Sequence, residues 1–106
     1  MINEQTLHGV VKRLFDVANP SVVIVFGSYG RGKVSRDSDL DILVIKPKVE
    51  NQFMEMVWLR DVVGHIGVGV DMLVYSDKEF ERRSRVPGTL LYWARKEGRM
   101  FYGSPS

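Results

Sequence analysis

Leu7, Val10, Val11, Leu14, Phe15 and Ala18 recur at intervals of three and four residues. That spacing lays one apolar stripe along a helix and predicts an amphipathic helix over residues 4–18. Asn3 is placed to cap its start. Asn19-Pro20 stops it, because proline cannot continue a helix. The period then changes. Val22–Phe26 is a short β-branched run, read as a buried strand. The glycine-rich, basic stretch 27–38 follows as a loop with room for one helical turn. Residues 40–45 form a second strand, closed by Lys46-Pro47.

Helical spacing returns with Phe53, Met54, Val57, Trp58 and Val62, which predicts a long helix over 51–63. "GHIGVGVDMLVYS" gives a flexible lead into a third strand, about residues 68–75. Ser76 followed by Glu79 fits a capping box for a short helix. Pro87-Gly88 breaks that helix and opens another, in which Leu90, Leu91 and Ala94 face inward and Gly98 terminates. "RMFYG" reads as a last short strand or an ordered tail. The order α-β-β-α-β-α-α predicts an α+β fold: one small mixed sheet flanked by helices. We expect a single domain over residues 1–106.

Composition supports a packed core, with 44% hydrophobic and 26% charged residues. There is no cysteine, which excludes disulfides and thiolate metal sites. Asp and Lys interrupt every apolar run before it reaches spanning length, so no membrane segment is expected. "MINEQTLHGV" lacks the basic start and apolar run of a leader, and a cytoplasmic protein is the simplest expectation. The net charge of +2 is too small to argue for nucleic acid by itself. No exposed sheet face with interleaved aromatics is expected, so nucleic acid is not the expected partner.

The chemistry concentrates at the start of the second strand. Asp39 and Asp41 are two apart, so a strand points both carboxylates to one face. Such neighbours repel by about 4 kcal/mol at an effective dielectric near 20. A cation between them relieves this. Oxygen donors without cysteine or nearby histidine favour Mg²⁺ or Mn²⁺. Mg²⁺ commonly completes its shell with substrate phosphates, which makes a nucleotide the natural third party. In the preceding loop, Gly27 allows a tight turn, and the Ser28 hydroxyl can donate to a phosphate oxygen. Gly30 and Gly32 keep the backbone thin, and Arg31 adds charge. A helical turn from Ser28 would aim its N-terminus at the anion. Asp71 again lies early in an apolar strand. Beside the second strand it would join Asp39 and Asp41, and three carboxylates can hold two metal ions for in-line displacement at phosphorus. Asp71 would ligate the ion that activates the attacking hydroxyl and help take its proton. "GSYGRG" is neither a Walker A loop nor a dinucleotide fingerprint.

The segments 26–32 (FGSYGRG), 38–44 (SDLDILV) and 70–74 (VDMLV) resemble the nucleotidyltransferase superfamily of DNA polymerase β type. They are most similar to its minimal nucleotidyltransferases, including the MntA-like antitoxin group. The tail "LLYWARKEGRMFYG" resembles the ending of such domains. One departure is Tyr29-Gly30, where many relatives carry Arg-Ala. The resemblance implies a polymerase β-like fold and Mg²⁺-dependent transfer of a nucleoside monophosphate from a triphosphate, with ATP as substrate. It implies that Gly27, Ser28 and Arg31 bind the nucleotide, and that Asp39, Asp41 and Asp71 are the catalytic and metal carboxylates. It further implies an antitoxin that transfers AMP to a tyrosine of a HEPN-type ribonuclease toxin.

The stretch after Asp71 holds only two short helices and a tail, so the acceptor is expected on another chain. Two alternatives stay open: a non-catalytic protein that binds nucleotide or covers a partner's site, and transfer to a small molecule in a pocket formed by a homo-oligomer. Arg82, Arg83 and Arg85 read as a solvated helix face offset by Glu79 and Glu81. His8 and His65 suggest no metal pair, and His65 fits a helix end. Trp58 and Trp93 are compatible with packing, Trp93 also with a partner patch. Tyr29 reads either as a stacking group for a nucleotide or as a surface residue.

Overall fold

In the computed structural model, which describes residues 1–102, four strands form one sheet in the order β3-β2-β1-β4. The strands are β1 (Val22–Phe26), β2 (Leu40–Lys46), β3 (Val70–Ser76) and β4 (Arg99–Tyr102). The helices are α1 (Glu4–Ala18), α2 (Gly27–Arg31), α3 (Gln52–Val63), α4 (Asp77–Arg83) and α5 (Leu90–Glu97). β1 runs antiparallel to both β2 and β4, while β2 and β3 are parallel. The sheet is therefore mixed, as the element order predicts. α3 supplies the crossover that the parallel pair requires.

Local chemistry explains the helix starts. Asn3, Asn51, Ser76 and Thr89 each accept a backbone N–H from three residues on. Each such cap is worth about 0.5–2 kcal/mol. Asn19 closes α1 in the left-handed conformation at φ 48°, which asparagine tolerates better than most residues.

Alternate residues of the strands face two apolar layers. Val23, Val25, Ile42, Val44, Met72 and Val74 pack with Leu7, Val10, Val11 and Leu14 of α1 and with Leu59 and Val63 of α3. Ile24, Phe26, Leu43 and Ile45 pack with Phe80 of α4 and with Leu91 and Ala94 of α5. Helices therefore cover both faces of the sheet. One pattern-based expectation fails here. Leu90 does not face inward; it is 56% exposed beside its buried neighbour Leu91. In α3 the buried residues are Leu59 and Val63, whereas Phe53, Met54, Val57 and Trp58 lie exposed. That helix is apolar on two faces, and the spacing that predicts it does not say which face is buried. "RMFY" is a strand; Gly103, the last residue of that motif, lies outside the described residues.

Two ion pairs tie the elements of this frame together. Arg99 of β4 donates both guanidinium nitrogens to the Glu4 carboxylate at the start of α1. Lys46 at the end of β2 pairs with Glu55 of α3, both side chains only 17% exposed. This pair holds α3 against the sheet.

Candidate nucleotide and metal site

β2 and β3 begin at the same end of the sheet, and their register sets Asp41 directly beside Asp71. Leu40 N–H donates to the Gly69 carbonyl, which extends the pairing one step before the strands. Asp39 thereby lies across from Gly69. A Cβ on Gly69 would collide with Asp39 Oδ1, so glycine makes room for that carboxylate. Sequence reasoning missed Gly69; its signal was a glycine two residues before the strand aspartate.

Asp41 also pairs in register with Phe26, the residue before the glycine turn. Gly27 opens that turn at φ +65°, and a Cβ there would strike Asp41 Oδ2. The turn and the carboxylate are thus fitted to one another through the missing side chain. α2 follows as the expected helical turn, with Ser28 in its first turn and Arg31 at its end. Gly30 has a role different from the one its loop position suggests. It packs against the Val25 carbonyl, with Gly98 alongside, and so seats α2 and the end of α5 on β1. Tyr29 is neither a stacking group nor a surface residue. It is 5% exposed in the core, and its hydroxyl accepts the Ile2 backbone N–H at 3.1 Å.

The electrostatics report crowding of negative charge. Burial is the main cause that pushes Asp41 up to about 6 from its ordinary 3.8. A hydrogen bond with Asp71 and repulsion from Asp71 and Asp39 act in the same direction, while Arg31 opposes them. A half-buried carboxylate abutting another is a donor set that a divalent cation would relieve, and its all-oxygen chemistry fits Mg²⁺ or Mn²⁺. Among the described residues, no group of three or more His, Cys, Asp or Glu side chains closes on one point. Asp41 and Asp71 meet, whereas Asp39 leans over Gly69. Mg²⁺ is commonly bound by one or two carboxylates plus substrate phosphates, so the adjoining pair fits such an ion.

A cleft of about 650 Å³ opens at this place. Its floor includes Gly27, Asp41 and the consecutive residues Val70, Asp71, Met72 and Leu73. β3 is an edge strand, so the cleft wraps round the sheet edge from α3 on one face to α5 on the other. Phe53, Val57 and Arg60 form one wall; Leu90, Trp93 and Glu97 form the other. Arg31 lines it too, with Nη1 3.9 Å from Glu97 Oε2. Of the sequence-derived site residues, Gly27, Arg31, Asp41 and Asp71 line the cleft; Ser28 and Asp39 border it through their neighbours. Glu97 and Arg60 went unread. An acidic residue in the last turn opposes the helix dipole, and for Glu97 that was the available signal.

A mixed sheet with a glycine-serine turn above paired strand carboxylates defines a nucleotidyl-transfer fold. The chain belongs to the nucleotidyltransferase domain family, whose model matches residues 5–98. It is similar in structure to a toxin–antitoxin crystal structure with AMP-PNP, at TM-score 0.60 and 22% identity, over 97% of this chain and 75% of that one. It is also similar to a candidate nucleotidyltransferase from Sulfolobus solfataricus, at TM-score 0.53 and 25% identity, over 89% of this chain and 82% of that one. No curated protein matches it.

Proposed function

We propose that this protein, as one domain over residues 1–106, transfers AMP from ATP to an acceptor hydroxyl in an Mg²⁺-dependent reaction. The observation that carries the proposal is the in-register pair Asp41–Asp71 at the floor of the cleft, beneath the Gly27 turn. Bound Mg²⁺ would supply polarisation of the phosphoryl oxygens and lower the pKa of the attacking hydroxyl. Asp41 and Asp71 would hold it, with Asp39 as the third carboxylate at its flank.

The remaining work falls to the chain. Gly27 lets the backbone approach the triphosphate, and the Ser28 hydroxyl donates to a phosphate oxygen. Arg31 exchanges its loose partner Glu97 for phosphate. The acceptor oxygen attacks the α-phosphorus in line; the new P–O bond forms as the bond to the β-phosphate breaks, and pyrophosphate leaves. Asp71, exposed at the strand start, takes the acceptor's proton and passes it to water. The apolar walls suit the nucleobase.

The acceptor in this reading is a tyrosine of a HEPN-type toxin, silenced by its modification, in the manner of the MntA-like antitoxins. Two things support a protein acceptor. The toxin–antitoxin structure shares the fold. The cleft is also rimmed by exposed Phe53, Val57, Leu90 and Trp93, a surface suited to apolar contact with another chain. The test is incubation with Mg²⁺ and ATP labelled at the α-phosphate, in an extract of the source organism or with a co-encoded toxin. Label on one protein band, absent with γ-label and lost in the Asp41→Asn, Asp71→Asn double variant, supports the reading. Absence of any labelled acceptor, protein or small molecule, overturns it.

A further inference from the structure

Most arginines among the described residues are engaged. Arg13 donates to the Val62 carbonyl, Arg31 approaches Glu97, and Arg82 and Arg83 share Glu79. Arg85 pairs with Glu81, Arg95 with Ser84 and Glu81, and Arg99 with Glu4. Arg36 and Arg60 have no ion pair or side-chain hydrogen bond among the described residues, and of the two only Arg60 lines the cleft.

Its position follows from the crossover. α3 ends at Val63, and a short segment leads directly into β3 at Val70. The last turn of α3 is therefore returned to the end of the sheet where Asp71 begins its strand. Arg60 belongs to that last turn and shares the cleft with Asp71. Arg31 enters the same cleft from the side of α2 and α5. Two guanidinium groups thus stand on different walls, with the carboxylate pair in the floor between them. A cation held by Asp41 and Asp71 would neutralise charge near the reacting phosphorus. The outer phosphates of a nucleoside triphosphate would then be matched by other positive groups, and a guanidinium binds phosphate oxygens in a forked geometry.

We propose that Arg60 is a phosphate-binding residue that recognises the outer phosphates of the nucleotide and so makes the cleft select triphosphate over monophosphate. This rests on the nucleotidyltransferase reading above and names a determinant of its substrate choice. A purely structural role is the competing account: a cation in the last turn complements the helix dipole. That role would change thermal stability and would treat all nucleotides alike.

The experiment is calorimetric titration of the whole chain, with Mg²⁺, against AMP and against an ATP analogue carrying a methylene bridge between its α- and β-phosphorus. Arg60→Ala and Arg60→Lys are compared with wild type, and melting temperatures are recorded in parallel. We expect Arg60→Ala to weaken the triphosphate analogue about tenfold or more, the scale of a lost charge-assisted contact. AMP affinity and melting temperature should hold, and Arg60→Lys should recover part of the loss. Equal loss for both nucleotides, or no loss for the analogue, overturns the assignment while the wild type's own binding leaves the transferase reading standing. A wild type that binds neither nucleotide overturns both.

Discussion

Asp41 and Asp71 are partners across the parallel β2–β3 ladder, each at the start of its strand and both on the face toward α5. Nothing local joins them: one follows the glycine loop, the other the α3 crossover. Their meeting is a product of topology.

Removing either charge of the pair should end transfer and leave the fold. Asn occupies nearly the volume of Asp. For Asp71→Asn and Asp41→Asn we expect activity to fall at least about a hundredfold, since even outer partners of a metal ligand cost roughly 10- to 100-fold. Label transfer beside a circular dichroism melt checks it. Chelating the divalent cation should abolish transfer equally, and restoring Mg²⁺ should bring it back. An active, correctly folded Asp71→Asn protein would remove that residue from the chemistry.

The raised pKa of Asp41 has a thermodynamic signature in the metal-free protein. A carboxyl at about 6 when folded, against an ordinary 3.8, binds its proton more tightly in the folded state. Its stabilising contribution is therefore complete below the ordinary value and is lost as pH rises through about 6. Glu4, Glu79 and Glu81 are held low by their arginine partners and act with the opposite sign. Subtracting wild type from Asp41→Asn cancels them. In chelator, the Asn variant should gain melting temperature relative to wild type between about pH 4 and pH 7. A difference that stays flat over this window would mean that Asp41 is not crowded as described.

Gly27→Ala should fail twice. The residue sits at φ +65°, a conformation that costs a residue with a Cβ about 1–2 kcal/mol. The added methyl also displaces the Asp41 carboxylate. We expect a lower melting temperature together with loss of transfer. Gly32→Ala is the control: it has similar positive φ but open space at the Cβ, so it should lose stability and keep most activity.

Tyr29→Phe separates packing from chemistry. It removes the acceptor of the Ile2 N–H, worth about 1 kcal/mol. Unfolding should show that loss, while nucleotide affinity stays unchanged. A weakened nucleotide affinity would return Tyr29 to the site.

Local signals made much of this legible in the sequence. Helix α1 and strand β1 have the bounds their pattern predicts, because Asn3, Asn19 and Pro20 act within a turn of themselves. Gly27, Arg31, Asp41 and Asp71 are found at one cleft, as the motif spacing anticipates. What escaped depends on long-range packing. The exposed stripe of α3 looks identical, in sequence, to a buried one. Gly30 reads as a phosphate-loop glycine until Val25 and Gly98 are seen pressed on it. Tyr29 lies in a loop by composition, yet α1 folds over it. Arg60 and Glu97 belong to the cleft only because the crossover and α5 end beside it.

The position of β4 has a consequence for synthesis. β1 occupies the interior of the sheet, between β2 and β4. A chain growing from its N-terminus can form the β1–β2 hairpin early and add β3 through α3. One edge of Val22–Phe26 stays unpaired until Arg99–Tyr102 emerges. Until then a run of buried-type residues, VVIVF, offers free backbone donors and acceptors to any neighbouring chain. The Arg99–Glu4 clasp also waits for this strand, since Arg99 is its first residue. The nascent domain thus carries an aggregation-prone edge until β4 arrives.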